Sequence, residues 1–383
     1  MIKFALRRNL IYPTQLLFWH LLRNLETMLI DYLFEFSSSL IYTPLMFLGE
    51  FISGLIIYKS QLNFLNEKKF TPKPKSKSLI YNEERIEFPD SVRKIYIIIF
   101  FIGFFDWIQF LIWTASVPKY LYITDSIVSR LSGVLAISCA LCNYFILKFP
   151  IFKHQTLSII ITTICTLIAI ITEFFFQEIN IFLTYGDFVV VILLTILSLF
   201  LNAYLDITEK YLFEIDYLNP FFTLMLEGLF GFFISFLFFF LPDYLDDVKL
   251  VYNNNSAGKF VLFIFLLFLY VILCGGRNVF RVITTKIYSP TTRALTDYFL
   301  NPIYHIIYFS TKNEFVTNGE RNVPHFIINL ILSLIISICG CVYNEFLILF
   351  CCGLEMNTDD QISKRSSTFY EMNKIYENEN DDD

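Results

Sequence analysis

The feature that most constrains this chain of 383 residues is a series of long apolar runs. A bilayer core of about 30 Å needs about 20 apolar residues per helix. The runs that meet this standard are Leu40–Tyr58, Ile95–Ala115, Ile123–Ile146, Gln155–Phe176, Phe188–Ile207, Phe221–Leu241, Phe260–Phe280, Ala294–Phe309 and Phe326–Phe350. Only 17% of the residues are charged, too few to cover a water-soluble protein of this size. We therefore predict an all-α integral membrane protein that crosses the bilayer several times.

Composition and motifs also exclude several classes of function. The formal net charge of −6 argues against a nucleic-acid partner. The sequence has no HExxH motif and no Gly-x-Ser-x-Gly motif, and its four histidines are scattered. Most of the cysteines lie inside apolar runs, where a free thiol behaves as a small hydrophobe. We predict no catalytic residues, no metal ligands and no cofactor.

The number of spans depends on one weak segment near the N-terminus. Residues Leu10–Leu33 are apolar but contain three charges, so they fit either a tenth span or an amphipathic helix at the interface. Most lysines and arginines fall on one side of the membrane if the N-terminus is cytosolic. Both termini are then cytosolic, which requires an even number of spans and favours ten. The glycosylation sequon that begins at Asn254 falls in a lumenal loop of this topology.

The predicted organisation has four parts. They are an N-terminal segment with the weak first span (1–36), the rest of a first repeat with a cytosolic linker at 59–94 (37–177), a second repeat (186–352), and a disordered acidic cytosolic tail (353–383).

Charged residues recur in the same order in the two halves. Glu50 of the second span is followed four residues later by Gly54, and Glu227 of the seventh span is followed by Gly231 at the same spacing. An arginine follows in the fourth span and in the ninth. Transporters built from inverted repeats show this weak internal similarity. Because the offset is five helices, an odd number, we predict two five-helix repeats inserted with opposite orientation.

Four motifs resemble those of a known family. They are Met46-Phe47-Leu48-Gly49-Glu50-Phe51, Glu209-Lys210-Tyr211, Glu227-Gly228-Leu229-Phe230-Gly231-Phe232 and Ser289-Pro290-Thr291-Thr292-Arg293. They are similar to motifs of the drug/metabolite transporter superfamily, closest to the F-type members of solute carrier family 35. The resemblance implies ten helices in two inverted repeats and carriage of a nucleotide sugar, a nucleotide or a related solute. It also implies residence in an endomembrane such as the Golgi, endosome or lysosome rather than the plasma membrane.

Polar residues inside the spans are the candidate site, because an ionisable group at the bilayer centre costs about 2.5–3.5 kcal/mol. The candidates for substrate binding or gating are Glu50, Asp106, Arg130, Glu227, Arg277, Asn278 and Arg293. Two carboxylates beside one cavity would permit proton coupling. The simpler interpretation of Glu50 and Glu227 is a close helix crossing that buries a hydrogen-bonded acid, since each has a glycine nearby.

Three further pairings are left open by the sequence. Arg277 and Arg281 share a helix face that suits a phosphate or a carboxylate, but Arg281 is better explained as snorkelling to the interface. Arg293 and Asp297 are spaced for an ion pair within one helix. Arg130 has no acid one turn away, so Asp106 of the adjacent span is its candidate partner, as a gate or as a fixed bridge.

Asn301-Pro302 predicts a break in the ninth span.

These observations favour a secondary transporter that moves a small polar or anionic metabolite by alternating access. The alternatives are a membrane scaffold that transports nothing and, with less support, an intramembrane enzyme. The expected partners are the lipid bilayer and a small-molecule substrate, and a homodimer is compatible with the sequence.

Overall fold

The computed structural model describes residues 2–4, 11–34, 41–67, 92–112, 131, 133–148, 151–176, 185–214, 218–238, 249, 251–311, 316–317, 320–349, 354 and 358. The helices are α1 (Ile11–Phe34), α2 (Tyr42–Glu67), α3 (Val92–Leu111), α4 (Gly133–Phe145), α5 (Lys153–Phe176), α6 (Tyr185–Glu214), α7 (Pro220–Phe238), α8 (Ala257–Ile287), α9 (Pro290–Tyr298), α10 (Asn301–Thr311) and α11 (Val323–Tyr343). The strands are β1 (Ile2–Phe4), β2 (Val316–Thr317), β3 (Glu320–Arg321) and β4 (Leu347–Leu349).

The helices confirm an all-α protein with the composition of a multi-pass membrane protein. Six of the described helices are long and apolar enough to cross a bilayer: α2, α5, α6, α7, α8 and α11. Their outer faces carry large apolar side chains, as on α8, where Val261, Phe265 and Phe268 are exposed. Acids and arginines are buried between the helices instead. Apolar side chains outside and charged side chains inside are the reverse of the arrangement in a soluble protein, and this arrangement suits a hydrocarbon environment.

Helix α1 shows the same inverted distribution in spite of its charges. Its exposed positions include Ile11, Phe18 and Leu29, whereas Glu26 is buried. The helix packs along α8 and also contacts α9. Gly276 of α8 permits the close approach, because a Cβ there would lie 2.5 Å from the Trp19 ring. Glu26 of α1 therefore faces protein rather than lipid.

Several helix ends differ from the sequence prediction. Helix α2 continues to Glu67 and α3 begins at Val92, so the predicted linker 59–94 is helical at both of its ends. Helix α6 continues to Glu214, beyond the predicted span end at Ile207, because polar residues there are buried between helices. Of the predicted tail, only Leu354 and Thr358 lie within the described residues.

The ninth predicted span contains a break, and the last predicted span ends earlier than expected. The break predicted at Asn301-Pro302 is confirmed, since α9 ends at Tyr298 and α10 begins at Asn301. The last span was predicted to reach Phe350, but α11 ends at Tyr343. Residues Leu347–Leu349 instead form β4, which pairs antiparallel with β1. The segment that precedes α1 and the segment that follows α11 therefore meet.

Helices α2, α7 and α8 form the centre of the bundle, with α1, α3 and α6 packed around them. Helix α2 crosses α7 and also contacts α8, while α3 contacts α6 and α7. Helices α4 and α5 contact each other, as do α9 and α11, and α5 packs against α11.

Glycines allow the central helices to approach closely, as small residues do in membrane proteins. A Cβ on Gly228 of α7 would lie 2.4 Å from the Phe51 backbone nitrogen, and one on Gly54 of α2 would lie 2.7 Å from the Met225 nitrogen. A Cβ on Gly49 would lie 2.4 Å from the Val271 carbonyl oxygen of α8. This packing holds Glu50 and Glu227, next to these glycines, against each other.

Candidate functional site

A cluster of ionic side chains lies where α2, α3, α6, α7, α8 and α9 meet. We call it the ionic cluster, and its members are Glu50, Asp106, Asp206, Glu209, Glu227, Arg277, Arg281, Arg293 and Asp297. Glu50, Asp206, Glu209 and Glu227 are at most 1% exposed. Charges buried to this extent are stable only when paired or neutralised, and inside membranes they mark transport pathways or structural bridges.

Arg281 of α8 is the centre of the cluster. Its Nη2 atom lies 2.9 Å from Glu209 Oε1 of α6 and 3.2 Å from Glu227 Oε2 of α7. The same nitrogen lies 4.0 Å from Glu50 Oε1, and Nη1 lies 3.9 Å from Asp206 Oδ1. One guanidinium thus faces acids from three other helices, which suits its planar fork of donors.

Asn278 and Arg277 connect Glu50 to the same helix. The side-chain amide of Asn278 donates a hydrogen bond of 2.6 Å to Glu50 Oε1, and its oxygen accepts one of 3.0 Å from Arg277. Asn278 is fully buried. It therefore fixes the rotamer of Glu50 and links the acid of α2 to the guanidinium of Arg277.

Arg293 and Asp297 extend the cluster along α9. The Nη1 atom of Arg293 donates a hydrogen bond to Asp206 and another, of 3.3 Å, to Asn202 Oδ1, both on α6. Asp297 Oδ2 lies 3.6 Å from Arg293 Nε and 3.6 Å from Arg277 Nη2. His20 of α1 lies 3.0 Å from Asp297 Oδ1. Asp297 is thus shared among three helices.

The N-terminus of α9 orients Arg293 toward α6. Ser289 caps the helix by accepting a 3.0 Å hydrogen bond from the Thr292 backbone nitrogen, and Pro290 occupies the first turn. Lys210 of α6 donates hydrogen bonds of 2.8 and 3.1 Å to the carbonyls of Lys286 and Tyr288, at the end of α8. The junction between α8 and α9 is therefore tied to α6.

Three carboxylates on different helices converge beside Arg281. One oxygen of each of Glu50, Asp106 and Glu227 lies within 4.8 Å of the others. We call these residues the carboxylate triad. Glu50 Oε2 is buried and accepts no hydrogen bond from any described residue. Acids at this separation repel one another unless positive charge lies between them.

Most of the predicted site residues lie in this one cluster. Glu50, Asp106, Glu227, Arg277, Asn278 and Arg293 all belong to it or contact it. The close glycine crossing expected for Glu50 and Glu227 is confirmed. The ion pair expected between Arg293 and Asp297 is present, but Arg293 also reaches Asp206 of another helix. Arg130 lies outside the described residues, so its pairing with Asp106 stays a prediction.

Sequence reasoning missed three members. Arg281 was better explained as an interfacial residue, yet it is 5% exposed and contacts four acids. Asp206 and Glu209 were missed because they lie at or just beyond the predicted end of a span. Lys210, which is not a member of the cluster, was assigned to a loop although it is buried. The spacing of Asn202, Asp206 and Glu209 places all three on one helix face, a signal that could have revealed them.

Comparison with known proteins gives no family for the chain. No family model matches it, and no curated protein matches its sequence. The resemblance to the drug/metabolite transporter superfamily therefore rests on the four motifs alone.

Proposed function

We propose that this protein is a secondary transporter that moves a small polar metabolite across a membrane by alternating access around the ionic cluster. The observation that carries the proposal is the burial of acids and arginines from five helices at one crossing of a multi-pass membrane protein. Such groups are expensive in a bilayer and are typical of solute and ion pathways. Six of its nine members are buried in the described structure, as expected of a closed state in an alternating cycle: Glu50, Asp206, Glu209, Glu227, Arg281 and Arg293.

The pattern of helix contacts supports a repeat of five spans. In this proposal α1 to α5 are the first five spans, α6 to α8 the next three, α9 with α10 the ninth, and α11 the tenth. The offset of five spans makes α1 equivalent to α6, α2 to α7, α3 to α8, α4 to α9 with α10, and α5 to α11. The α1–α8 contact is then equivalent to the α6–α3 contact, the α2–α8 contact to the α7–α3 contact, and the α4–α5 contact to the α9–α11 contact. The α2–α7 and α5–α11 contacts each join two equivalent spans. A pseudo-twofold arrangement of this kind is typical of inverted-repeat transporters.

Two further contacts support ten spans with both termini on one side. The pairing of β1 with β4 joins the segments that flank the first and last helices. Helix α1 turns an apolar face outward and a polar face toward α8, as a membrane span does. The basic residues of the sequence favour the cytosol for that side, and the family resemblance favours an endomembrane.

The family resemblance favours a nucleotide sugar, a nucleotide or a related solute as cargo. In the closed state each arginine of the ionic cluster is within 4.0 Å of a carboxylate. An anionic group on the cargo would therefore have to displace a carboxylate from Arg277, Arg281 or Arg293. This exchange of ion-pair partners would couple binding of the cargo to movement of the helices.

A transport assay tests the proposal directly. The purified protein is reconstituted in liposomes, and uptake is measured with pools of labelled nucleotide sugars, nucleotides and organic ions, with and without unlabelled solute inside. We expect at least one pool to be taken up, with stimulation by the unlabelled solute. Glu227→Gln should abolish uptake, because it removes an acid from the centre of the cluster.

The matched control is Glu26→Gln, which neutralises a buried acid of α1 that belongs to no part of the ionic cluster. This variant should transport like the wild type. Absence of uptake from every pool by a correctly folded protein would contradict the proposal and favour a scaffold.

A further inference from the structure

The ionic cluster contains more negative than positive charge. Its six carboxylates face the three guanidiniums of Arg277, Arg281 and Arg293. Arg23 and a protonated His20, both near Asp297, would still leave one carboxylate uncompensated. Uncompensated charge in a low-dielectric interior is strongly unfavourable. Among the described residues this charge is not balanced, and a bound cation would balance it.

The position of this deficit can be assigned from the contacts. Asp206 is neutralised by Arg293, and Asp297 is shared by two arginines and His20. Arg281 alone faces Glu209 and Glu227 and lies at the edge of contact with Glu50. The surplus negative charge therefore belongs to the carboxylate triad and its neighbour Glu209.

An independent feature of Glu50 points to the same place. Its Oε1 atom is occupied by the Asn278 amide, but Oε2 accepts no hydrogen bond from any described residue, although the side chain is only 2% exposed. A buried carboxylate oxygen without a donor is unfavourable unless a ligand occupies its lone pairs. Asp106 makes neither a hydrogen bond nor an ion pair with any described residue, so Glu50 and Asp106 both have carboxylate oxygens that no described residue occupies.

The separation of the triad oxygens sets an upper limit on the distance between a bound ion and its ligands. With three oxygens at most 4.8 Å apart, one point lies within about 2.8 Å of all of them. Calcium prefers oxygen ligands at 2.3–2.6 Å, and sodium is of similar size, whereas magnesium requires 2.0–2.1 Å and octahedral geometry. The triad could therefore accept the larger ions with small side-chain shifts.

We propose that Glu50, Asp106 and Glu227 bind a metal cation of the size of Na⁺ or Ca²⁺ at the crossing of α2, α3 and α7. The sequence predicted no metal site, because the three acids lie on helices far apart in the chain. The cation offsets the charge of the triad and holds α2, α3 and α7 together. Its use as a coupling ion rests on the proposed function, whereas its binding does not.

Equilibrium binding to the purified full-length protein tests the site. The protein is treated with a chelator, exchanged into choline chloride in detergent, and titrated with ²²Na⁺ or ⁴⁵Ca²⁺ in a scintillation proximity assay. The thermal unfolding midpoint is followed in parallel with NaCl, CaCl₂, KCl and MgCl₂ at matched ionic strength. We expect saturable binding of one ion per chain and a rise in the midpoint with Na⁺ or Ca²⁺ that K⁺ and Mg²⁺ do not reproduce.

The decisive variant is Asp106→Asn, because Asp106 makes no described hydrogen bond or ion pair and its replacement should leave the fold intact. We expect its affinity for the bound ion to fall at least tenfold, and Glu50→Gln to do the same. Glu26→Gln should bind like the wild type. Wild-type affinity in Asp106→Asn would overturn the proposal.

Absence of saturable binding of either ion would also overturn the proposal. A thermal unfolding midpoint that rises at low pH and does not respond to Na⁺ or Ca²⁺ would overturn it too, since the triad would then hold protons. These outcomes are separable from the transport proposal. Solute uptake without ion binding would contradict the cation site and support the transport function. Ion binding without uptake from any pool would support the cation site and contradict the transport function.

Discussion

At the scale of single residues, Arg281 decides whether the ionic cluster is stable. It is buried and faces acids of α2, α6 and α7, so those acids depend on it for positive charge. Removing one partner of a buried ion pair leaves an uncompensated charge, which is more damaging than replacing the whole pair. The exposed side chain of Lys286, five residues further along the same helix, carries no such role.

We therefore expect Arg281→Met to lower the free energy of unfolding by about 3–5 kcal/mol. Lys286→Met is the matched control and should change it little. The double variant Arg281→Met with Glu209→Gln should recover part of the loss, because it removes one charge of each sign. Unfolding in mixed micelles measures all three, and equal stability of Arg281→Met and Lys286→Met would contradict the role given to Arg281.

At the scale of elements, the crossing of α2 and α7 positions the acids. Gly54 and Gly228 let the two backbones approach, and any side chain there would meet backbone atoms of the facing helix. The glycines are thus required by packing rather than by backbone conformation. The distance between Glu50 and Glu227 is set by this crossing, so the two acids would move apart if α2 and α7 separated.

Gly228→Ala should accordingly destabilise the protein and reduce transport, since its Cβ would lie 2.4 Å from the Phe51 backbone nitrogen. Gly258→Ala is the matched control, because a Cβ at this position has no atom within 4 Å. It should leave stability unchanged or slightly raised, as alanine favours helix over glycine. Thermal unfolding of both variants makes the comparison. A Gly228→Ala protein as stable as Gly258→Ala would show that the helices are not closely packed.

The sequence was informative about elements and less so about their contacts. Long apolar runs predicted most helices, and Asn301-Pro302 predicted the break before α10. Hydropathy placed the end of the sixth span too early, because Asp206 and Glu209 are polar yet buried by α8 and α9. Arg281 was misjudged for the same reason, since burial by other helices is a property of the fold and not of the local sequence.

At the scale of the whole molecule, the proposed function requires two halves of a multi-pass bundle that move around one site. In this proposal the two halves, related by the exchange of helix contacts, are units that could move against each other. The ionic cluster would lie between them, so such a movement would open it first to one side of the membrane and then to the other. A fixed structural cluster would stay closed to both.

Cysteine accessibility tests this alternation without knowledge of the cargo. The protein, freed of its native cysteines, carries Asn202→Cys at the edge of the ionic cluster, where Asn202 accepts a hydrogen bond from Arg293. Phe268→Cys on the lipid-facing surface and Gly258→Cys at the start of α8 are the controls. Membrane-impermeant thiol reagents are applied to sealed liposomes from the outside and from the inside.

We predict labelling of Asn202→Cys from both sides, of Gly258→Cys from one side, and of Phe268→Cys from neither. Labelling of Asn202→Cys from neither side, in a protein whose Gly258→Cys reacts normally, would contradict alternating access and assign the ionic cluster a purely structural role.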